Sequence, residues 1–220
     1  KAHEFLPINS RRPCKVPGCS RFRHRIGGYC NKHQRVLTQW GSPTHRFISR
    51  VKDYAKEREE CRALIEHNLK EVGHKGLGYA VGYLDDWLTD SHRGSRYRTQ
   101  AKEFARLYRD GVTAVDILTE CCALWLFWIR NPNRIHSLKH WKYVTGNCVL
   151  HMSSMAAGRN SGDANSHRSI RTPGPVRREV GEQIHKAIGT MIVLVARAIV
   201  DDERKQEEVL KAMHQPLEGV

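Results

Sequence analysis

Residues 113–130 read Thr113-Ala-Val-Asp-Ile-Leu-Thr-Glu-Cys-Cys-Ala-Leu-Trp-Leu-Phe-Trp-Ile-Arg130. Thr113 followed three residues later by Asp116 is the pattern in which a hydroxyl caps a free helical amide and a carboxylate answers back to the cap residue. Val115, Leu118, Cys122, Trp125, Leu126 and Ile129 follow at helical spacing, and most positions between them are apolar too. A helix that is apolar almost all round needs neighbours on every side. The stretch therefore predicts the buried central helix of a bundle, stopped at Asn131-Pro132 because a residue before proline is pushed out of the helical region.

Working outward, residues 44–72 predict one long helix. Thr44 is its cap, Phe47, Val51, Tyr54, Cys61, Leu64, Ile65 and Leu69 form its apolar stripe, and Gly73 ends it. A second helix is expected over 77–89, with Tyr79, Tyr83 and Trp87 packing into the core. A third runs to Arg109, before the turn Asp110-Gly111. Residues 134–155 read as two short helices broken at Gly146-Asn147. Residues 158–175, rich in Gly, Ser, Asn and Arg, read as a long basic loop. Pro173 and Pro175 open a final helix whose apolar positions step by threes and fours from Val176 to Ala198. No continuous apolar run reaches the ~18 residues of a membrane span, so no membrane partner is expected. The fold class is mainly α: a helical domain over 44–220, preceded by a different kind of segment at 1–43.

That segment carries the most specific signal in the chain. Cys14, Cys19, Cys30 and His33 are spaced Cys-x4-Cys-x10-Cys-x2-His, a ligand set that closes a tetrahedral shell around structural zinc. Pro17-Gly18 and Gly27-Gly28 stand close before cysteines, where turns aim ligands at a common centre. The residues between the ligands are chiefly Arg, Gly and Pro, which cannot build a core, so the metal has to supply the folding free energy. Four protein ligands leave no open position, which makes the zinc a structural cofactor. A small hairpin within the module and a short helix over 34–40, closed by Gly41 and Pro43, complete the reading. Trp40 either seals the module against the helical domain or stacks on a nucleic-acid base.

The spacing resembles short cysteine-rich modules of bacteriophage proteins associated with HNH-type endonucleases. Those read Cys-x3-Gly-Cys, then Gly-x-Cys-x2-His, then an arginine and Gly-x-Pro. Here Cys14, Gly18 and Cys19, then Gly28, Cys30 and His33, then Arg35, Gly41 and Pro43 carry the match, over about a fifth of the chain. The resemblance implies a zinc-binding, DNA-associated module of phage or mobile-element type.

The net charge of +14 is unevenly spread. Residues 1–50 hold eleven Lys/Arg against one acid, Glu4, and residues 131–178 hold eight against Asp163 alone. Residues 51–130 are balanced and 179–220 are acidic. Charge segregated in this way describes a surface for a polyanion. The residues expected to touch nucleic acid are Arg11, Arg12, Lys15, Arg21, Arg23, Arg25, Lys32 and Arg35 in the arm and module. Arg159, Arg168, Arg171, Arg177 and Arg178 in and after the loop form a second set.

Function is thus expected to be nucleic-acid binding, with DNA ahead of RNA. One rival is a metal-dependent HNH-like endonuclease, for which His136, His140, His151 and His167 are the candidate catalytic residues; Asp163 is the only acid near them. The other is an interaction protein whose zinc module docks on a host protein or ribonucleoprotein machine. A homodimer fits the long apolar helices. Seven cysteines, three of them at metal spacing, point to a reducing compartment, hence the cytoplasm or nucleoid of a host cell. Because the sequence begins at Lys1 and not at Met, no leader can be read from it.

Overall fold

The computed structural model describes residues 12–24, 26–46, 48–89, 98–160 and 174–213. Within them lie helices α1 (Asn31–Trp40), α2 (Ala55–His67), α3 (Lys75–Thr89), α4 (Arg98–Arg109), α5 (Ala114–Arg130), α6 (Leu138–Asn160) and α7 (Gly174–Met213). Helix α2 continues into a wider turn over Asn68–Val72, closed by Gly73 at φ 60°. No strand occurs among the described residues, so the fold is mainly α.

Helix α5 is the axis of the bundle. The Thr113 hydroxyl accepts from the Asp116 amide at 3.1 Å, and the Asp116 carboxylate accepts from the Thr113 amide at 3.0 Å, so two otherwise orphaned donors are satisfied at the entry. Eleven of its seventeen residues are buried, and it packs on α2, α3, α6 and α7. Each fully buried Leu, Ile or Phe here contributes ~1.5–3 kcal/mol of burial free energy, which is why this one helix gathers the rest. Arg130 at its end meets Glu57 and Glu60 of α2 at 3.3 and 2.8 Å and Glu203 of α7 at 2.5 Å, tying three helices together.

Three expectations need correcting. The described residues of 44–54 are not helical: α2 begins only at Ala55, and Val51, assigned to the apolar stripe, is 62% exposed, while Phe47 lies outside the described residues. Side chains have taken over this segment. The Asp53 carboxylate accepts from the Ser49 amide at 2.5 Å, Arg50 reaches the fully buried Glu120 of α5 at 2.7 Å, and the Tyr54 hydroxyl donates to the same carboxylate at 2.5 Å. Buried Glu120 needs these partners, and an extended or turning backbone delivers them.

Second, Tyr79 is 78% exposed and Tyr83 is exposed as well. Leu77, Ala80, Leu84 and Leu88 claim the buried stripe of α3, and of the three aromatics Trp87 alone packs inward, edge-on to Phe104 at 5.3 Å.

Third, α6 is a single helix that runs through Gly146-Asn147 and on to Asn160. Gly146 marks a crossing. A Cβ there would lie 1.9 Å from the Arg177 carbonyl oxygen of α7, and one on Gly181 of α7 would lie 1.8 Å from the Lys142 carbonyl oxygen of α6. The two glycines let α6 and α7 touch backbone to backbone, and they fix the pair as antiparallel. The loop expected over 158–175 lies mostly outside the described residues; its first residues continue α6 and its last two begin α7.

By length and composition α7 is apolar enough to cross a membrane, with an 18-residue window of mean hydropathy 1.4, a third of it buried. Its Val180, Ile184, Ile188, Ile192 and Val195 face the bundle as the stripe of a core helix.

Candidate metal centre and the surface around it

The module is built from turns and a minimal pairing, with Pro13 and Phe22 forming an isolated antiparallel bridge. The Cys14 amide donates to the Arg21 carbonyl at 2.9 Å, the Lys15 amide to Gly28 at 3.0 Å, and the His24 amide to Tyr29 at 2.8 Å. Gly18, at φ 73°, takes the left-handed position of the turn that presents Cys19. Cys30 is the N-cap of α1, so the helix starts on one ligand and carries His33 in its first turn. Among the described residues 12–40 the buried ones are Cys14, 7% exposed, and Cys30, 2% exposed. Two sulfurs are the whole core.

The four expected ligand atoms converge, all within 4.8 Å of one another. Cys14 Sγ lies 3.3 Å from His33 Nδ1, Cys30 Sγ lies 3.5 Å from the same nitrogen, and Cys19 Sγ lies 3.9 Å from Cys30 Sγ. A tetrahedron with zinc–sulfur bonds of ~2.3 Å has edges of about 3.8 Å, so the donors already stand at coordination spacing. Burial would raise the Cys14 thiol, but hydrogen bonds from the Val16 and Cys30 backbone, His33 and Cys19 outweigh it and bring the thiol down to about 6. Cys19 receives a backbone hydrogen bond from Arg21, yet burial and the neighbouring Cys14 and Cys30 sulfurs leave it above the ordinary thiol value. Three crowded sulfurs, one of them held toward thiolate, call for a cation among them. Cys14, Cys19, Cys30 and His33, the last through Nδ1, fit a zinc ion in a closed structural site. The remaining cysteines are core residues: burial holds Cys61 and Cys148 at about 12 and Cys121 and Cys122 well above the ordinary value.

The basic residues divide by position. Arg12, Lys15, Arg21, Lys32 and Arg35 are exposed. Arg21, Lys32 and Arg35 line one depression with Asn31 and Val36, beside the start of α1. That helix start has no side-chain cap and no acid in its first turn. Arg23 turns back and donates from Nε to the Pro13 carbonyl at 3.0 Å, so it braces the hairpin. Arg11, Arg25, Arg168, Arg171 and His167 lie outside the described residues, and Arg159 is described only as part of the α6 backbone. Arg178 is exposed and lines a shallow depression with Leu138, Lys139, Lys142 and Glu182. Arg177 is buried, against its expected place on the surface. One residue of the site was missed: Phe22, 60% exposed between Arg21 and Arg23. An aromatic residue inside a segment that lacks a core was the available signal.

Two of the candidate histidines, His136 and His140, meet His45 in one cluster. His45 Nδ1 and His140 Nε2 are 2.7 Å apart, and His140 Nδ1 accepts from the His136 amide at 3.3 Å. The His140 proton therefore sits on Nε2 and is donated to His45. Both nitrogens of the fully buried His140 are used inside the protein, which leaves it no atom for a metal or a water nucleophile. His136 stacks on His140 at 5.4 Å, and its Nε2 faces the Thr44 hydroxyl at 3.4 Å. His151 lies apart, half-buried on α6. Trp40 stacks on His45 at 4.3 Å and also faces Arg177, so the indole packs the end of α1 against α6 and α7.

This contact carries a pH signature. Burial, then the charges of His136 and Arg134, hold His45 at about 4; burial, then His45 and His136, hold His140 at about 3. Unfolded imidazoles take up protons near 6.5. As pH falls from ~6.5 toward 4 the unfolded chain binds protons that the folded chain refuses, so stability present above ~6.5 is lost on acidification. Urea unfolding at pH 7.5 and 5.5 should show a loss on the order of 2 kcal/mol, with a clearly smaller difference in His140→Gln. Equal slopes in the two chains would refute the assignment.

Compared with known proteins, the chain matches no family model, no curated protein and no solved structure. Of the resemblance to phage modules, the convergence of the Cys3His set is the part that the structure supports.

Proposed function

We propose that the protein binds nucleic acid, DNA ahead of RNA, through its zinc-clasped N-terminal module, as a protein of phage or mobile-element type. The observation that carries this reading is the convergence of Arg21, Lys32 and Arg35 on the uncapped start of α1. Free amides at a helix N-terminus favour an anion, and three cations beside them favour a phosphate backbone. Phe22, exposed next to Arg21, supplies a face on which a base can stack. Cys14, Cys19, Cys30 and His33 would hold a zinc ion, which would fix the Arg21 loop against α1. A grip of this kind works on phosphates and carries little sequence information.

Fluorescence anisotropy with a labelled DNA duplex and a single strand, over a salt series, tests the reading. Three neutralised phosphates give a log–log slope near −3, so a threefold rise in salt should weaken binding about 20-fold. Lys32→Ala should reduce the slope by about one. Affinity indifferent to salt would defeat the proposal.

A second reading keeps a specific support. Ile26, four residues on from Phe22 in sequence, is 72% exposed, and exposed apolar residues on a basic module also suit docking on a protein machine. Capture of one protein that survives nuclease treatment, through a surface lost in Phe22→Ala, would favour it.

A further inference from the structure

Arg177 is 7% exposed, and neither its Nε nor its Nη1 has a hydrogen-bond partner. Its guanidinium lies 5.2 Å from the Trp40 ring. Among the described residues no carboxylate offsets the charge, and burial lowers its pKa. A buried, uncompensated guanidinium is among the most costly arrangements a protein interior can hold. It is tolerated where a ligand completes it.

The surroundings point to the ligand. Helices α6 and α7 run antiparallel, with Gly146 against the Arg177 carbonyl and Lys142 against Gly181. Side chains lean toward the N-terminus of their own helix, so Arg177 leans along α6 from Gly146 toward Leu150, one turn on. There Arg106 of α4 arrives and donates from Nη2 to the Leu150 carbonyl at 2.9 Å. His151, half-buried, is the next residue; burial and the charges of Arg177 and Arg106 hold it below the ordinary imidazole value. The first turn of α7 lies at the same place, carries no acid and presents amides that no helical carbonyl can satisfy. Two guanidinium groups and an imidazole, from three helices, gather near a helix N-terminus, and among the described residues no acid is paired with Arg177.

We propose that Arg177, with Arg106 and His151, forms a binding site for a single phosphate group where the start of α7 meets α4 and α6. A tetrahedral oxyanion accepts the planar fork of Arg177 and the amides of the α7 start together, and its negative charge matches the cations gathered there. A free phosphate ion and a phosphodiester of nucleic acid offer the same chemistry. The site is separate from the Arg21–Lys32–Arg35 grip and does not depend on it.

The test is thermal unfolding of the zinc-loaded full chain with inorganic phosphate, with sodium chloride at matched ionic strength, and with a short single-stranded oligonucleotide. Phosphate at saturation should raise the midpoint by about 5 °C over chloride. Arg177→Met, free of the uncompensated charge, should unfold at or above the wild-type midpoint without phosphate and gain nothing from it. Arg106→Gln should keep the fold and lose at least half of the shift, and it decides the matter if the methionine variant does not fold. An Arg177-dependent gain with the oligonucleotide but not with phosphate assigns the group to a phosphodiester and supports the site. No gain with either probe, or a gain that both variants retain, overturns it.

Discussion

Stripping zinc with a chelator should unfold the module and leave the bundle standing. Cys14 and Cys30 are the only buried residues between 12 and 40 among those described, so metal removal takes away the core of the segment and leaves repelling arginines behind. Structural zinc in small modules contributes ~10–16 kcal/mol, far more than a handful of exposed turn hydrogen bonds. Cys30→Ser should act like the chelator, because Cys30 is at once a ligand, the cap of α1 and the donor of a backbone amide to Cys14 Sγ at 3.3 Å. Helices α2–α7 have their own core around α5 and should keep their far-ultraviolet signal and their unfolding midpoint to within a few degrees. Amide exchange would read this directly, with protection lost over 12–40 and retained over 114–130. Simultaneous loss in both regions would mean that the module is integral to the bundle. The proposed nucleic-acid binding should vanish with the metal, before the helical domain unfolds.

Gly146→Ala and Gly181→Ala should each destabilise the bundle by about 3 kcal/mol or more. Either Cβ would land less than 2 Å from a carbonyl oxygen of the facing helix, and backbone cannot rotate away as a flexible side chain can. The helices would have to separate, which opens the contacts of Val180 and Ile184 on α7 with the core. The comparison that isolates the cause is Gly78→Ala and Gly82→Ala on α3, where an added Cβ meets nothing within 4 Å. Alanine is the better helix former, so these two changes should stabilise by up to about 1 kcal/mol each. Urea unfolding of the four variants reads the contrast. Losses of equal size at all four positions would show that the crossing is not the reason.

These two results bear on the parts of the molecule that differ most in legibility. The Cys3His spacing is local, with four ligands inside twenty residues, and its chemistry admits few alternatives; the donors meet as the spacing requires. Helix α5 was equally readable, since its capping box and all-round apolarity lie within its own eighteen residues. Gly146 shows where such reading stops. Taken alone it is a helix breaker, and its role is set by Gly181, thirty-five positions on, which no local pattern reveals. The segment before Ala55 has helical spacing, but Glu120 of α5 and Asp53 draw Arg50, Tyr54 and the Ser49 amide into another conformation. His45 and His140, ninety-five residues apart, meet in a contact that composition cannot anticipate. Arg177 and Arg178 looked equivalent in sequence, and helical rotation alone sends one inward and the other out.

The central claim is that Cys14, Cys19, Cys30 and His33 close on one zinc ion and thereby form the module. Native mass spectrometry of the full chain, purified in the presence of zinc, tests it most directly. One zinc per chain is expected, bound through deprotonated thiols, with loss of that mass in Cys30→Ser. A chain whose mass is the same with and without zinc, or a zinc adduct that persists in Cys30→Ser, would contradict it.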